Sequence, residues 1–426
     1  MTAWVLFGSF FLLVLLNVPI AVSLGLSTMV GLYINGTPFS MFPSTMYAAT
    51  GKFALLAIPF FILAGTIMEY AGISKRLIQF CKVCVGHTRS GLIVVVVVVS
   101  CFFAAISGSG PATVAALGSI LIPAMDEAGY DKGTASALMA ASGGIGIVIP
   151  PSIAFVVYAS IADASIGKLF AGGFIPGILC GFAFYAAAKW ASRNNNNIKL
   201  LPKASGKERL VAFKDAVWGL LMPVIILGGI YGGIFTPTEA AGVAVIYGLV
   251  VGLFVYREIK LKQLWKLFVD SAVSSATVMF IVANAAVFAW LLTTGQIAAS
   301  MSSAILSLTS NKIVILLLIN LIFLVAGCFL DANSAFYILV PIMVPIMSAM
   351  NIDPIHFGVF ATVNLAIGLV TPPVGINLYV ACRVADLPVA ELCKKIIPFL
   401  VTGLIALLII TYIPALTMFI PNMVSG

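Results

Sequence analysis

Long apolar runs without charged side chains constrain the fold of this chain more than any other feature. Two of them, residues 91–125 and 133–162, contain no Asp, Glu, Lys or Arg, yet glycine and proline interrupt both, at residues 107–111 and 143–151. A helix in hydrocarbon must satisfy its own backbone groups, so such breaks persist only where the freed groups line a polar cavity or bind an ion. The sequence therefore predicts a polar site inside the membrane.

The same pattern recurs in the second half of the chain. An offset of 222 residues places the double proline at 150–151 on the one at 372–373, and the segment 107–113 on 329–335. Paired interruptions in two halves of a hydrophobic chain indicate a transporter made of inverted repeats, with its binding site at the interruptions. Chance spacing is the alternative, because membrane helices tolerate glycine and proline. The joint match of both features favours the repeat.

Composition indicates a membrane protein. Of 426 residues, 62% are hydrophobic and 8% are charged, whereas soluble domains are roughly 25% charged. Uncharged runs of about 18 residues or more predict membrane-spanning helices. The formal net charge is +8, but the basic residues lie in short loops, where they signal topology rather than nucleic-acid binding. We expect an all-α polytopic membrane protein.

The basic loops predict the orientation of the repeats. Four basic residues place the loop at 72–90 in the cytoplasm, whereas the equivalent loop at 293–311 carries no charge. This asymmetry predicts two repeats inserted in opposite orientations. No charged residue precedes Lys52, so residues 4–33 are interpreted as a retained first helix rather than a cleaved signal. The resulting topology has a cytoplasmic N-terminus and an external C-terminus.

Four parts are predicted along the chain. Residues 1–52 hold a scaffold helix and an interfacial connector, 53–191 the first repeat, 192–267 a cytoplasmic linker with two scaffold helices, and 268–426 the second repeat. Each repeat is predicted to contain a re-entrant helical hairpin and a discontinuous helix, at 91–126 and 133–162 in the first repeat and at 313–350 and 354–383 in the second.

Asp331 is the one acidic side chain that this topology places deep in the membrane. An ionisable residue at such depth is a functional-site hypothesis by default. It could hold a cation, directly or through water, or carry a proton. The alternative is an N-cap for the helix that starts near Ser334, since aspartate caps helices well. The two roles are compatible.

Neutral oxygens at the breaks are suited to Na⁺. Unwound segments expose backbone carbonyls, and the neighbouring serines and threonine add hydroxyl groups. For the serines, hydrogen bonding back to the preceding helical turn is the alternative. We expect Na⁺ as the coupling ion, in two or more copies. The predicted ligands are Ser107, Ser109, Gly144, Gly146, Ile149, Pro150, Asp331, Gly368 and Thr371.

Two helix N-termini, near residues 111–112 and 333–334, are predicted to point into the same space. Each presents free amides and the positive end of the helix dipole, which favour an anion. No arginine reaches this depth in the predicted topology, so amides, hydroxyls and Na⁺ would neutralise a substrate carboxylate. The predicted substrate-binding residues are Ser109, Pro111, Ala112, Thr113, Asn333, Ser334 and Thr371.

Four ordered motifs resemble those of the large membrane subunit of TRAP transporters (tripartite ATP-independent periplasmic transporters). They are GSGPAT at residues 108–113, GIVIPPS at 146–152, FTPTEAA at 235–241 and TPPVG at 371–375. The resemblance covers essentially the whole chain. It implies Na⁺-driven import of an organic acid across the bacterial inner membrane, with the C-terminus in the periplasm and no enzymatic activity.

The same resemblance implies partners and a mechanism. The partners are a periplasmic substrate-binding protein and a small membrane subunit of about four helices on a separate chain. The mechanism is an elevator, in which a transport domain of hairpins and unwound helices slides against a static scaffold. The sialic-acid branch is favoured over the C4-dicarboxylate branch.

Other classes of function are less consistent with the sequence. A primary pump would need a phosphate-binding loop of the GxxxxGK[ST] type, which is absent from the chain. An intramembrane serine protease would need a base, and neither His87 nor His356 lies at the depth of the serine-rich turn. A channel stays open as an alternative, because half-helices that point at an ion site also build selectivity filters. A carrier that works without a binding protein is the other alternative.

Overall fold

The computed structural model describes residues 2–424, with the backbone alone for Thr2 and for residues 104–106. This part of the chain folds into 21 α-helices and contains no strand. The helices before the first hairpin are α1 Thr2–Leu15, α2 Ile20–Ile34, α3 Met41–Thr50, α4 Ala57–Tyr70 and α5 Ile73–Val85. A short 3₁₀ turn, Phe53–Leu56, leads directly into α4.

The N-terminal segment differs from the prediction. Residues 4–33 were expected to form one helix, but the chain turns at Asn17, whose φ is +62°, and Pro19 precedes α2. The two helices pack against each other, since an ideal Cβ at Gly31 of α2 would lie 3.2 Å from Leu6 Cδ1 of α1. The predicted cytoplasmic N-terminus rested on a single crossing by this segment, and the helical hairpin removes that argument.

The first repeat contains the predicted hairpin and the predicted discontinuous helix. Its remaining helices are α6 Gly91–Ser107, α7 Gly110–Glu127, α8 Lys132–Gly144, α9 Ile153–Ala162 and α10 Ile166–Ala191. The limbs α6 and α7 form the hairpin, whereas α8 and α9 form the discontinuous helix. The central elements are α11 Gly206–Tyr231, α12 Pro237–Val250 extended by a π-helical turn Val251–Val255, α13 Leu261–Thr294 and α14 Ile297–Leu308.

The second repeat follows the first at the expected offset. Its helices are α15 Lys312–Phe329, α16 Ala332–Ala349, α17 Pro354–Gly368, α18 Ile376–Ala385, α19 Val389–Lys395, α20 Ile397–Tyr412 and α21 Ala415–Val424. The hairpin is α15–α16 and the discontinuous helix is α17–α18. The limbs of this hairpin begin and end 222 residues after those of the first hairpin, except that α15 begins 221 residues after α6.

Contacts between the repeats show that the discontinuous helices run in opposite directions. Asp131, the N-cap of α8, pairs with Lys395 of α19, which follows α18; their charged atoms are 2.9 Å apart. At the other end, Tyr158 of α9 donates a hydrogen bond to the carbonyl of Pro354, the first residue of α17, at 2.7 Å. Each discontinuous helix therefore begins near the end of the other, as inverted repeats require.

Two segments predicted as loops are helices. The cytoplasmic loop at 72–90 contains α5, and the uncharged loop at 293–311 contains α14. In α5, the side chains of Ile73, Leu77 and Ile78 are buried on one face, at the helical spacing of an amphipathic helix. Of the basic residues that marked this loop, Lys75, Arg76 and Lys82 lie off the buried face of α5, and Arg89 follows the helix. The connector at 35–50 likewise contains α3.

The polytopic all-α class is confirmed. In the described part of the chain, seven helices are long and apolar enough to cross a membrane, and α19 with α20 would add an eighth as a pair bent by 50°. The centre of the molecule is occupied by α8 and α17, since every residue from Gly133 to Gly144 and from Ile355 to Gly368 is buried. The hairpins pack around this pair.

Candidate functional site

The tip of the first hairpin is a tight turn of serine and glycine. Gly108 has a φ of +60°, which favours glycine, and an ideal Cβ there would lie 2.9 Å from Ile153 Cγ1. Ser109 is the N-cap of α7, and its Oγ accepts a long hydrogen bond of 3.5 Å from Ala112 N. The turn presents the N-terminus of α7 to the space beside it.

Two predicted site residues close this turn from inside. Ser107 Oγ lies 3.0 Å from Thr113 Oγ1, which donates to the carbonyl of Ser109 at 2.8 Å. The side chain of Thr113 is fully buried, so it fixes the shape of the tip and does not reach open space. Ser107 is partly exposed at the tip.

The tip of the second hairpin is organised by Asp331. Its Oδ2 accepts hydrogen bonds from Asn333 N at 3.0 Å and Ser334 N at 3.4 Å, and its Oδ1 accepts from Ser334 Oγ. The expected capping role of Asp331 at the start of α16 is therefore confirmed. Ser334 is fully buried in this arrangement, whereas Asn333 Oδ1 is buried without a hydrogen-bond partner.

The first break separates α8 from α9. After Gly144 the chain makes one 3₁₀ turn, Ile145–Ile147, and stays non-helical until Ser152, the N-cap of α9. Ser152 Oγ donates to the carbonyl of Ile147 at 2.5 Å, which holds the ends of the break together. The peptide bond between Pro150 and Pro151 is cis. At the start of this segment, the N–H of Ile145 donates to the carbonyls of Ser142 and Gly143.

The second break separates α17 from α18. Thr371 Oγ1 donates to the carbonyl of Ile367 at 2.8 Å, so the lone pairs of this hydroxyl stay available. Gly375, with a φ of +57°, donates its N–H to the carbonyl of Cys328 at 3.1 Å, which ties the break to the second hairpin. The peptide bond between Pro372 and Pro373 is also cis.

Glycines allow the second break to pack closely on the hairpin. An ideal Cβ at Gly368 would lie 2.6 Å from Gly327 Cα and 3.0 Å from the carbonyl oxygen of Gly327. No side chain fits between two backbones at this separation. Gly327, in α15, was not predicted as a site residue, because it lies inside an apolar helix and only the fold shows what it meets.

Asn377 connects the two breaks. It is fully buried; its Nδ2 donates to the carbonyl of Ala140 in α8 at 3.1 Å, and its Oδ1 has no partner. An ideal Cβ at Gly110, the first residue of α7, would lie 3.1 Å from this Oδ1. An ideal Cβ at Gly144 would lie 2.8 Å from the carbonyl oxygen of Ala366 in α17. A buried oxygen without a partner is rare in folded proteins, and an ordered water or an ion is one way to satisfy it.

Both hairpin tips line one central cavity of about 400 Å³. The other wall comes from α4, through Ile62, Gly65, Thr66 and Glu69, and from α13, through Ser274, Val278 and Ile281. Hydrophobic side chains at the breaks, including Ile147, Ile153 and Leu369, complete the lining. The cavity therefore lies between the hairpin tips and two helices outside the hairpins.

The structure brings some of the predicted residues to this cavity and leaves others away from it. The predicted residues that line it are Ser107, Ser109, Pro111, Ala112, Asp331 and Asn333. Thr113 and Ser334 are buried within the tips, and Gly144, Gly146, Gly368 and Thr371 lie at the breaks behind the cavity. Ile149 and Pro150 line a separate apolar groove.

Glu69 is a lining residue that the sequence interpretation missed. It lies near the end of α4, where a charge is easily read as the boundary of a spanning helix. A second cavity, of about 560 Å³, shares Glu69 and Ala112 with the central one and extends to residues 72–75. The second cavity therefore borders the central one on the side on which the basic loop at 72–90 lies.

Comparison with known proteins identifies the family. The sequence profile for "Tripartite ATP-independent periplasmic transporter, DctM component" matches residues 7–416. Among curated relatives, the C4-dicarboxylate TRAP transporter large permease protein DctM of Pseudomonas aeruginosa is 44% identical over 377 residues, 88% of each chain. The sialic acid TRAP transporter large permease protein SiaM of Vibrio cholerae is 38% identical over 392 residues, 92% of each chain.

A third relative is longer than this chain. The isethionate TRAP transporter permease protein DctMQ of Oleidesulfovibrio alaskensis is 44% identical over 416 residues, which are 97% of this chain and 66% of that protein. Among solved structures, the YdaH transporter of Alcanivorax borkumensis has a TM-score of 0.65 at 15% identity, covering 88% of this chain and 87% of that one, and so shows a shared fold. The chain belongs to the DctM component family of tripartite ATP-independent periplasmic transporters.

Proposed function

We propose that this TRAP large permease subunit imports an organic anion together with Na⁺. One observation carries the proposal: the N-termini of α7 and α16, at the two hairpin tips, border the same cavity of about 400 Å³. Helix N-termini attract anions through their free amides and dipoles. The cavity also contains groups that accept hydrogen bonds from a substrate or bind a cation, namely Ser107, Ser109, Asp331 and Asn333.

The two tips differ in charge, which suggests where each ion binds. The N-terminus of α7 is capped by the neutral Ser109, whereas that of α16 is capped by the carboxylate of Asp331. A carboxylate repels a substrate anion and attracts a cation. We therefore place the anion at the α7 tip, near Ser109, Pro111 and Ala112, and a cation near Asp331.

The positions of the predicted Na⁺ ligands at the breaks support the proposal that Na⁺ is the coupling ion. Gly144 and Gly146 lie where α8 ends, and Gly368 and Thr371 lie where α17 ends, which is where helices have carbonyls without α-helical partners. The carbonyl of Gly368 also accepts a hydrogen bond from Thr371 N at 2.9 Å. Helix C-termini carry partial negative charge, which favours a cation. Asn377 Oδ1, buried without a partner between the breaks, is the oxygen that we add to this set.

The substrate is an organic anion whose identity stays a prediction. Sialic acid was favoured from the sequence, but the relatives named above are named for a C4-dicarboxylate, sialic acid and isethionate. These ligands share negative charge at neutral pH, which is what the α7 tip recognises. A thermal-shift screen of carboxylates and sulfonates with purified protein, in Na⁺ and in choline buffer, separates the three.

The partners and the movement also follow the family. We propose a periplasmic substrate-binding protein and a small membrane subunit as partners, and an elevator movement of the hairpins and discontinuous helices against α4, α11, α12 and α13. The second cavity reaches residues 72–75, in the loop that the positive-inside rule places in the cytoplasm, and this position supports an inward-facing state.

Uptake into proteoliposomes tests the proposal. With an imposed Na⁺ gradient and the binding protein outside, we expect saturable uptake of the anion that ceases when K⁺ replaces Na⁺. Ser109→Ala removes the N-cap of α7 and the hydroxyl group proposed to contact the anion, so it should abolish uptake. The loss of the cap should also destabilise the helix by about 1 kcal/mol. Ser307→Ala, at an exposed position on α14, is the control and should transport normally.

Three outcomes would contradict parts of the proposal. Na⁺ current without substrate, rising linearly with voltage, would support a channel instead. Full uptake without any binding protein would contradict the tripartite arrangement while leaving Na⁺ coupling intact. Normal uptake by Ser109→Ala would exclude the tip of α7 as part of the substrate-binding site.

A further inference from the structure

An apolar groove lies apart from the central cavity. It has a volume of about 520 Å³ and is formed by α6 of the first hairpin, α10 and α11. Its floor is buried and includes Val97 and Leu227, whereas Ile178 and Phe182 at its rim are 65% and 66% exposed. The groove is therefore open on one side to the surroundings of the protein.

The groove reaches the back of the first break. Ile149 and Pro150 line it, on the opposite side of the break from the hairpin tip. Gly177 and Gly181 of α10 leave this approach free of side chains; an ideal Cβ at Gly177 would lie 2.4 Å from Ile149 Cγ1. Whatever fills the groove therefore contacts the segment whose unwinding defines the site.

Cations without acidic partners gather at one end of the groove. Lys189 Nζ lies 5.7 Å from the centre of the Tyr185 ring, and Tyr185 itself lines the groove. One turn further, the Arg193 guanidinium lies 4.3 Å from the Trp190 ring. The ion pairs found among residues 2–424 are Arg76–Glu258 and Lys395–Asp131, so neither cation is neutralised by a carboxylate.

Hydrogen bonds hold this basic end together. Arg89, just before α6, donates from Nη2 to the carbonyls of Arg193 and Asn195 at 3.1 Å each. The start of α6 and the end of α10 are thereby adjacent. Their basic residues lie where the positive-inside rule places the cytoplasmic surface, and the exposed Trp190 suits the headgroup level.

The length of the groove matches one leaflet. From Phe174 to Tyr185, its lining on α10 covers twelve residues, which span about 16 Å along the helix axis. Half of a hydrocarbon core of about 30 Å is nearly the same length. A groove with an apolar wall, an open side and a cationic end has the chemistry of one lipid chain and its headgroup.

We propose that this groove binds one acyl chain of an anionic phospholipid from the cytoplasmic leaflet, with its headgroup at Lys189 and Arg193. The chain fills the space between α10 and α11 and supports the Pro150 break from behind. Anionic headgroups are attracted to juxtamembrane cations, by a factor of about five for each cation. The inference does not depend on which substrate is carried.

Photo-crosslinking in nanodiscs tests the proposal. Phosphatidylcholine discs containing phosphatidylglycerol with a diazirine in its acyl chain are irradiated, and labelled peptides are mapped. We expect labelling concentrated in α6, α10 and α11. Lys189→Gln with Arg193→Gln should reduce it at least fivefold, and Val98→Trp, which fills the groove, should nearly abolish it. Lys207→Gln and Ile246→Trp, at exposed positions of α11 and α12, are the matched controls and should label as wild type.

Three results would overturn the proposal. Equal labelling of α12 and the groove would indicate ordinary surrounding lipid. Equal labelling by the phosphatidylcholine analogue would exclude selectivity for an anionic headgroup. Loss of groove labelling when the small membrane subunit is co-purified would assign the groove to that protein. The charge variant keeps the test decisive if Val98→Trp fails to fold.

Discussion

Replacing Gly368 with alanine tests how closely the second break packs on the second hairpin. The new Cβ would lie 2.6 Å from Gly327 Cα and 2.7 Å from Gly327 C, whereas ordinary contacts begin at 3.4 Å. Both neighbours are backbone atoms, so α15 and α17 must separate by roughly 1 Å, and overpacking of this kind costs about 1–3 kcal/mol in unfolding free energy. The shift also displaces the carbonyl oxygens that we assign to Na⁺.

Thermal unfolding and uptake together measure this effect. We expect Gly368→Ala to unfold at a lower temperature than wild type and to need more Na⁺ for half-maximal uptake. Gly242→Ala in α12 is the control, because an ideal Cβ there has no atom within 4 Å, and alanine favours the helix by about 1 kcal/mol. If Gly368→Ala unfolds and transports like Gly242→Ala, the close packing of break and hairpin is refuted.

Three further predictions concern single side chains. Asp331→Asn keeps a capping residue but removes the charge, so Na⁺-driven uptake should fall at least tenfold with little change in stability. Asp353→Asn, at the N-cap of α17, is the control and should transport normally. Equal uptake by the two variants would exclude a role for the charge of Asp331. Burial raises the pKa of Asp131, but hydrogen bonds from Thr134 and Lys395 and the charge of Lys395 together outweigh burial, so the pKa of this carboxyl lies below its usual value. The half-exposed ion pair of Asp131 therefore stabilises the fold at pH values above the unfolded-state pKa, and this stabilisation is lost as pH falls through the folded-state pKa. Asp131→Asn should lower the free energy of unfolding by less than about 1 kcal/mol at neutral pH and should not change it in strong acid. Unfolding measured at both pH values tests this. The main effect of Asn377→Ala should be weaker Na⁺ binding, with a smaller effect on the unfolding temperature. Asn284→Ala, at a buried asparagine in α13, should change only the unfolding temperature. Similar Na⁺ affinities of the two variants would contradict the assignment of Asn377.

The sequence predicted the hairpins and breaks well because each depends on local chemistry. Isolated prolines are retained inside α7, α10, α11 and α16, but clusters of glycine and proline in an uncharged run end the helix. Residues 107–111 and 143–151 could therefore be located without tertiary information. The N-terminal prediction was wrong for the same kind of reason: Asn17 and Pro19 stop a helix too, but a long apolar run outweighed them. The helix α5 was missed because its basic residues were interpreted as marks of a loop.

The candidate site was only partly predictable. Residues at the tips were found because their motifs are contiguous, but Gly327, Glu69 and Asn377 come from elements far apart in the chain. Gly327 matters only because Gly368 packs on it, and Asn377 only because Ala140 and Gly110 lie beside it. Such roles depend on contacts between repeats, which one sequence without its fold does not contain.

Binding of Na⁺ at the meeting point of the two repeats is the central claim, and equilibrium binding of radioactive sodium to the purified protein tests it most directly. The account predicts saturable binding that the organic anion strengthens, that Asp331→Asn weakens at least tenfold and that Asp353→Asn leaves unchanged. Absence of saturable binding to wild type, or the same affinity in both variants, would contradict it.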